Sequence, residues 1–283
     1  MGSPADAAPL LPAMRRLLLV AAFLVFLAGL VLFVFPLRTP DWFAWTVDPP
    51  MTAVFLGAAY WSSAVLEVAG ARSAAWDRAK LAVWPVFVFT TLTLGVTLLH
   101  LERFHLAPEH PFLARFATWA WLAIYAAVPV AMLVIGLAQS RTRPVAGTPA
   151  QARVPLPPGL RGLLAGIAAV LLLTGAALLL VPVAAAALWP WPLTPLTGRA
   201  VGAWLVGLGW AAAYAGAAGD ARTVRPLGLS ALVFALLQAV ALLRHGDALT
   251  WTGLPAAGVV AVLLAIGCAG GWILALRPAA GAR

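Results

Sequence analysis

The chain has 283 residues, of which 63% are hydrophobic and 10% charged, and its mean hydropathy is +0.97. A soluble domain carries about 25% charged residues, so the composition excludes water as the main solvent. The net charge is +9, but the basic residues lie in short loops between apolar runs, which indicates membrane orientation and no nucleic-acid partner. The single cysteine, Cys268, excludes an intrachain disulfide and a thiolate metal cluster.

Eight apolar runs along the chain predict membrane-spanning helices, because about 20 residues cross about 30 Å of hydrocarbon. The runs lie near 17–35, 51–70, 81–100, 115–138, 161–182, 199–218, 226–243 and 255–276. The first run is long and lacks a small-residue cleavage pattern, so it predicts a retained helix and not a signal peptide. The predicted fold class is an all-α integral membrane protein.

Lysine and arginine are distributed unequally between the two predicted sides. The side of the N-terminus holds 13 of the 18: Arg15, Arg16, Arg72, Arg78, Lys80, Arg141, Arg143, Arg153, Arg161, Arg222, Arg225, Arg277 and Arg283. The other side holds Arg38, Arg103, Arg115, Arg199 and Arg244, together with the acidic residues Asp41, Asp48, Glu102, Glu109 and Asp247. Basic loops are retained in the cytoplasm, so both termini are predicted to be cytoplasmic.

The second half of the sequence repeats the first at an offset of 145 to 146 residues. Arg15, Gly29, Pro36, Trp45, Pro50, Thr52, Gly57 and His100 match Arg161, Gly175, Pro182, Trp191, Pro195, Thr197, Gly202 and His245. Four spans is an even number, so the two copies are predicted to be parallel repeats about an axis along the membrane normal. The predicted organisation is a tail at 1–16, a repeat at 17–138, a linker at 139–160, a repeat at 161–276 and a tail at 277–283.

Two predicted outer loops, 39–50 and 188–197, are rich in Trp and Pro. Their tryptophans are Trp42, Trp45, Trp189 and Trp191. Proline disfavours helix and Trp prefers the headgroup level, so these loops are predicted to be interfacial aromatic anchors. A paired lid over a cavity is the alternative.

Polar side chains form two stripes within the predicted spans. Tyr60, Ser63 and Glu67 have the spacing of one helical face, as do Thr90, Thr93 and Thr97, and Gln238 matches Thr93 in the second copy. Together they predict an intramembrane polar path from the outer face to Glu67 near the inner one. Serine and threonine also hold helices together, and Glu67 could reach water or an arginine, so a structural role is the alternative.

All four histidines, His100, His105, His110 and His245, fall on the predicted outer side. With Glu102 and Glu109 they have metal-ligand chemistry, and His100 and His245 could approach each other across the pseudo-axis. No recognised zinc spacing is present, nor a phosphate loop or nucleophile elbow, so no metal, cofactor or catalytic residue is predicted.

At residues 43–46, 50–57, 99–105 and 189–194 the chain resembles a family of uncharacterised bacterial multi-pass membrane proteins with no assigned activity. The resemblance covers most of the chain and implies the bacterial inner membrane but no function. The leading interpretation is a non-enzymatic scaffold or binding protein surrounded by lipid. The alternatives are a small-solute transporter with a cavity between the repeats, and a His-dependent redox or metal protein.

Overall fold

A computed structural model describes residues 8–144 and 153–276 of the chain. The predicted tail residues 1–7 and 277–283, with Arg277 and Arg283, and residues 145–152 of the predicted linker lie outside these ranges. Ten α-helices occur in the described parts: α1 Pro12–Gly29, α2 Thr39–Trp42, α3 Pro50–Arg72, α4 Trp76–Leu99, α5 Phe112–Ser140, α6 Pro158–Leu180, α7 Pro182–Ala186, α8 Pro195–Ala218, α9 Ala221–His245 and α10 Leu254–Ala275. Extended pairing in those parts is restricted to two isolated bridges.

Eight of these helices are long and apolar enough to cross a membrane: α3, α4, α5, α6, α8, α9, α10, and α1 with its continuation to Val34. They confirm the eight predicted runs, although most begin earlier than predicted. The starts of α1, α4 and α9 differ most from the prediction, by five residues each, and the run of α9 was predicted to start at Pro226. Asp220 caps this helix by accepting a hydrogen bond from the backbone N–H of Thr223, so the helix begins at Ala221 and contains Pro226.

Proline determines where several helices begin. It occupies the first position of α1, α3, α6 and α8, where the missing N–H would have no helical partner. At the start of α8, Thr194 and Thr197 add a reciprocal capping box. The proline-rich loops therefore lead directly into spans.

Helix α3 lies at the centre of the bundle and α10 at its edge. Each helix contains an apolar stretch of 18 residues. In α3, 72% of this stretch is buried inside the protein, whereas in α10 only 22% is buried. Helix α3 packs against α1 and α9, whereas α8 packs against α6 and α4. Peripheral helices expose large apolar side chains such as Phe23, Phe116 and Leu173, as a surface in contact with lipid chains does.

Short extended contacts join loops within each half, and both sets of loops lie at one end of the bundle. Pro9 pairs with Ala75, and Pro155 pairs with Asp220. The side chain of Gln139, at the end of α5, bonds the backbone of residues 9 and 11. We call this end, formed by residues 8–16, 72–80, 139–144, 153–161, 218–225 and 274–276, the basic end. The opposite end, formed by residues 35–50, 100–112, 181–195 and 245–254, is called the tryptophan end.

Candidate functional site

The predicted stripe on α3 is a continuous line of hydrogen-bonding groups. Ser63 donates to the carbonyl of Tyr60 at 3.0 Å and to Oε1 of Glu67 at 3.5 Å. The Tyr60 hydroxyl lies 2.8 Å from the hydroxyl of Tyr125 on α5. Glu67 is only 1% exposed, and its Oε2 has no hydrogen-bond partner among the described residues. A buried, incompletely bonded carboxyl group within a span is a candidate for function.

The threonines of α4 are used largely for structure. Thr90 donates to the carbonyl of Val86 at 2.8 Å, one turn earlier in the same helix. Thr97 donates to the carbonyl of Thr93 and accepts from the indole N–H of Trp121 at 3.0 Å, which joins α4 to α5. The hydroxyl of Thr93 is buried without a partner among the described residues.

Gln238 lies in a different interface, between α9 and α3. Its Nε2 donates to the carbonyl of Phe55 at 3.0 Å, and Ser230 donates to the carbonyl of Ser62 at 2.7 Å. Hydrogen bonds from Gln238 thus run to the backbone of α3, whereas Tyr60 bonds Tyr125 of α5. Ser230 and Tyr125 were not among the predicted polar residues, because each is a single polar residue without a polar stripe around it.

Aromatic rings fill the space between α3, α4 and α8. The ring of Trp204 lies 3.9 Å from that of Phe89 and 4.8 Å from that of Tyr60. The void that borders Tyr60, Thr93 and Thr97 has a volume of about 10 Å³. A void of this volume is about the space of a single water molecule, so these rings leave no room for a solute beside Tyr60, Thr93 and Thr97 in this conformation.

The four predicted interfacial tryptophans differ in burial. Trp45 and Trp191 are 3% and 2% exposed and lie inside the protein, whereas Trp42 and Trp189 are half-buried. Trp191 donates to the hydroxyl of Thr52 at 3.0 Å, which joins the loop at residues 188–197 to α3. The indole N–H of Trp45 is buried without a hydrogen-bond partner in the described structure.

The histidines near the tryptophan end are engaged in protein contacts. Nδ1 of His105 lies 2.9 Å from the carbonyl of Phe43 and Nε2 lies 3.1 Å from the hydroxyl of Thr46. Arg199 donates to Nε2 of His100 at 2.8 Å. Burial lowers the pKa of both imidazoles, and the positive charge of Arg199 acts in the same direction on the pKa of His100.

His100, His105 and His110 share a basin of about 650 Å³ with Glu102 and Arg103. Nε2 of His245 is buried without a partner in the described parts, and this residue does not line the basin. Among the described residues, no group of three or more His, Cys, Asp or Glu side chains could hold a metal ion. The basin is therefore a polar surface whose histidines are mostly bonded already.

A second opening, a groove of about 1080 Å³, lies at the basic end between α3 and α9. Its rim carries Arg72, Arg78, Arg222 and Arg225, and its walls are apolar. From the sequence these arginines were markers of orientation, and Arg72 and Arg78 were also possible partners of Glu67. Their convergence from two loops about 150 positions apart depends on the packing of α3 against α9.

The chain was also compared with known proteins. No protein-family model, curated protein or solved structure matches it. Its function is therefore inferred from the geometry of the bundle, of the basin at the tryptophan end and of the groove at the basic end.

Proposed function

We propose that this chain is a non-enzymatic scaffold or binding protein of the bacterial inner membrane, surrounded by lipid. The observation that carries the proposal is the filled interface between α3, α4 and α8. The closely packed rings of Tyr60, Phe89 and Trp204 leave a void of about 10 Å³ there. Helices packed in this way provide a rigid platform, with binding surfaces at the ends of the bundle.

The proposal includes two parallel four-helix repeats with both termini in the cytoplasm. Matching contacts support it, since Pro9 pairs with Ala75 and Pro155 with Asp220, at positions offset by 145 to 146 residues. The pairing of α3 with α9 and of α4 with α8 has the same symmetry. Eleven of the 16 described Lys and Arg residues lie at the basic end, which favours that end as cytoplasmic.

Distance measurements between spin labels test the rigid platform. One pair, Glu109→Cys and Asp247→Cys, reports on the tryptophan end, and the other, Ala74→Cys and Ala217→Cys, on the basic end. All four positions are exposed, and Cys268→Ala removes the native thiol. We expect one narrow distance for each pair between pH 5 and 8. Opposite changes at the two ends would indicate alternating access and contradict a rigid scaffold.

The same cysteine variants test orientation. A membrane-impermeant thiol reagent is expected to label Glu109→Cys and Asp247→Cys in intact cells. Ala74→Cys and Ala217→Cys should be labelled only after the cells are opened. The reverse pattern would place the basic end outside and refute cytoplasmic termini.

A small-solute transporter coupled to protons is the second candidate, and one observation favours it. Glu67 is buried in α3, and its Oε2 has no hydrogen-bond partner among the described residues. In proteoliposomes with an internal pH dye, transport predicts a protein-dependent proton flux that Glu67→Gln abolishes. Glu102→Gln, at a 66% exposed side chain, is the control. The scaffold proposal predicts no flux from either variant or from the unmodified protein.

A further inference from the structure

The groove at the basic end combines a positively charged rim with an apolar wall. Val65 and Val68 of α3 and Leu229 of α9 contribute to the wall, and Arg72, Arg222 and Arg225 contribute to the rim. No acidic side chain is among the residues that line the groove. A ligand that fits must therefore be anionic at one end and apolar along its length.

Three arginines of the rim, Arg72, Arg222 and Arg225, retain hydrogen-bond donors for a ligand. Arg225 donates from Nη1 to the carbonyl of Leu274 at 3.0 Å, and no side-chain bond of Arg72 or Arg222 occurs to another described residue. Two acidic groups of the basic end have other partners, since Asp220 accepts from Val154 and Thr223, and Asp77 pairs with Lys80 at 2.6 Å. Guanidinium groups with free donors suit the oxygens of a phosphate.

The length of the wall matches one leaflet of a bilayer. It runs along α3 from Trp61 to Arg72, which is about 16 Å at about 1.5 Å per residue. Half of the hydrocarbon thickness is about 15 Å. At the deep end of the wall, the ring of Phe26 stacks on Trp61, whose indole N–H donates to the Phe26 carbonyl at 3.0 Å. An acyl chain could lie along this wall while its headgroup reaches the arginines.

The corresponding positions of the second repeat lack this charge. At an offset of 145 residues Arg72 corresponds to Ala217, and Arg222 and Arg225 correspond to Asp77 and Lys80. Asp77 and Lys80 form an ion pair, so their charges are neutralised locally. The basic rim is thus specific to one of two otherwise similar places in the bundle.

We propose that the groove between α3 and α9 binds one anionic phospholipid, with its phosphate at Arg72 and Arg222 and one acyl chain along Val65 and Val68. Basic pockets between membrane helices on the cytoplasmic side commonly hold anionic lipid headgroups. The inference goes beyond the scaffold proposal and does not depend on it, because a transporter could carry the same site.

Native mass spectrometry of the purified full-length protein tests the site. The protein is offered equimolar phosphatidylglycerol and phosphatidylcholine in mixed micelles, and retained lipid is counted. We expect one phosphatidylglycerol to be retained in clear preference to phosphatidylcholine. The double variant R72A/R222A should lower that preference about 30-fold, at about 1 kcal/mol for each arginine. The control R38A/R103A removes two exposed arginines at the tryptophan end and should change nothing.

Two further measurements separate a bound lipid from a bound free anion. Val68→Trp fills the wall without removing charge and should abolish retention, whereas Val130→Trp, at a 60% exposed position of α5, should not. Millimolar inorganic phosphate should not displace the lipid. Equal retention of both lipids by the unmodified protein, an unchanged preference in R72A/R222A, retention by Val68→Trp, or displacement by phosphate would overturn the proposal. Size-exclusion profiles identify misfolded variants, and R72Q/R222Q then replaces the double alanine variant.

Discussion

Helices α3 and α8 occupy similar positions in the bundle but differ in chemistry. Both begin with proline, carry threonine at the third position (Thr52 and Thr197) and approach another helix closely at a glycine. Each packs against the preceding membrane-spanning helix of its own half, which is α1 for α3 and α6 for α8. Each also packs against a helix of the other half. These shared features are those that close packing requires.

The polar stripe of α3 has no counterpart in α8. Tyr60, Ser63 and Glu67 correspond to Leu205, Leu208 and Ala212 at an offset of 145 residues. Helix α8 packs into the bundle without them, so packing does not explain why α3 has them. The comparison therefore separates the glycines, which serve the fold, from the stripe on α3 and the basic rim, which are the candidates for function.

The largest expected effect is a loss of stability when a glycine at a close helix contact is replaced by a larger residue. This loss should be equal in α3 and α8. A Cβ atom at Gly57 would lie 2.6 Å from the backbone nitrogen of Phe33, and one at Gly202 would lie 2.8 Å from the carbonyl oxygen of Gly175. Because backbone cannot move aside easily, Gly57→Leu and Gly202→Leu should each lower the free energy of unfolding by about 3 kcal/mol. Unfolding in mixed detergent micelles measures this, and Gly95→Leu, which meets open space, is the control. Tolerance at only one of the two glycines would break the proposed equivalence of the helices.

Substitutions at the two equivalent positions, 67 in α3 and 212 in α8, should change the stability of the protein in opposite directions. Ala212 is buried, so Ala212→Glu places a carboxyl group in an apolar site and should destabilise the protein by about 2 to 3 kcal/mol. Glu67→Leu removes a carboxyl group with an unpartnered oxygen and should stabilise it by about 1 kcal/mol. The same unfolding assay measures both variants. If Glu67→Leu destabilises the protein as much as Ala212→Glu does, then the carboxyl group of α3 serves the fold.

A smaller difference in stability is expected from the tryptophan-rich loops of the two halves. Trp191 donates a hydrogen bond to Thr52, whereas the indole N–H of Trp45 has no partner among the described residues. Trp191→Phe should therefore cost about 1 kcal/mol more in unfolding free energy than Trp45→Phe. A double-mutant cycle of Trp191→Phe with Thr52→Val isolates the hydrogen bond. A coupling energy near zero would show that the loop is held by packing alone.

The eight spans could be predicted from sequence because apolar length depends only on local composition. The run of α9 was predicted to start at Pro226, five residues too late, because apolar length does not locate the cap at Asp220 that determines where this helix begins. Likewise, the preference of Trp for the headgroup level is an average over many proteins. It did not predict that Trp45 and Trp191 would be enclosed by rings such as Phe43 and Phe55.

The candidate sites depended more strongly on tertiary structure. Glu67 was identifiable because an acidic residue within an apolar run is rare. Its neighbour Tyr60 bonds Tyr125, which the sequence does not mark because the partner lies two spans later. The basic rim joins Arg72 to Arg222, and only the contact between α3 and α9 brings these positions to one groove. Local patterns thus identified single residues, whereas the groupings came from packing.

The smallest expected effect concerns pH, at a contact that joins the two halves. Burial, and then the charge of Arg199, lower the pKa of His100, so in the folded protein this imidazole binds a proton less readily than in the unfolded chain. The stabilisation from neutral His100 is therefore complete above about pH 6.5. It is lost as the pH falls through the lowered pKa, because the protonated ring then opposes Arg199, 2.8 Å from its Nε2.

Unfolding free energies at pH 7.5 and pH 5 test this contact, and His100→Gln should reduce the difference between them. Burial also lowers the pKa of His105, so part of the pH dependence should remain in that variant. Arg199→Gln removes the charge and keeps a donor, and should weaken the dependence in the same way. An unchanged pH profile in both variants would mean that the bond between His100 and Arg199 does not link the two halves in solution.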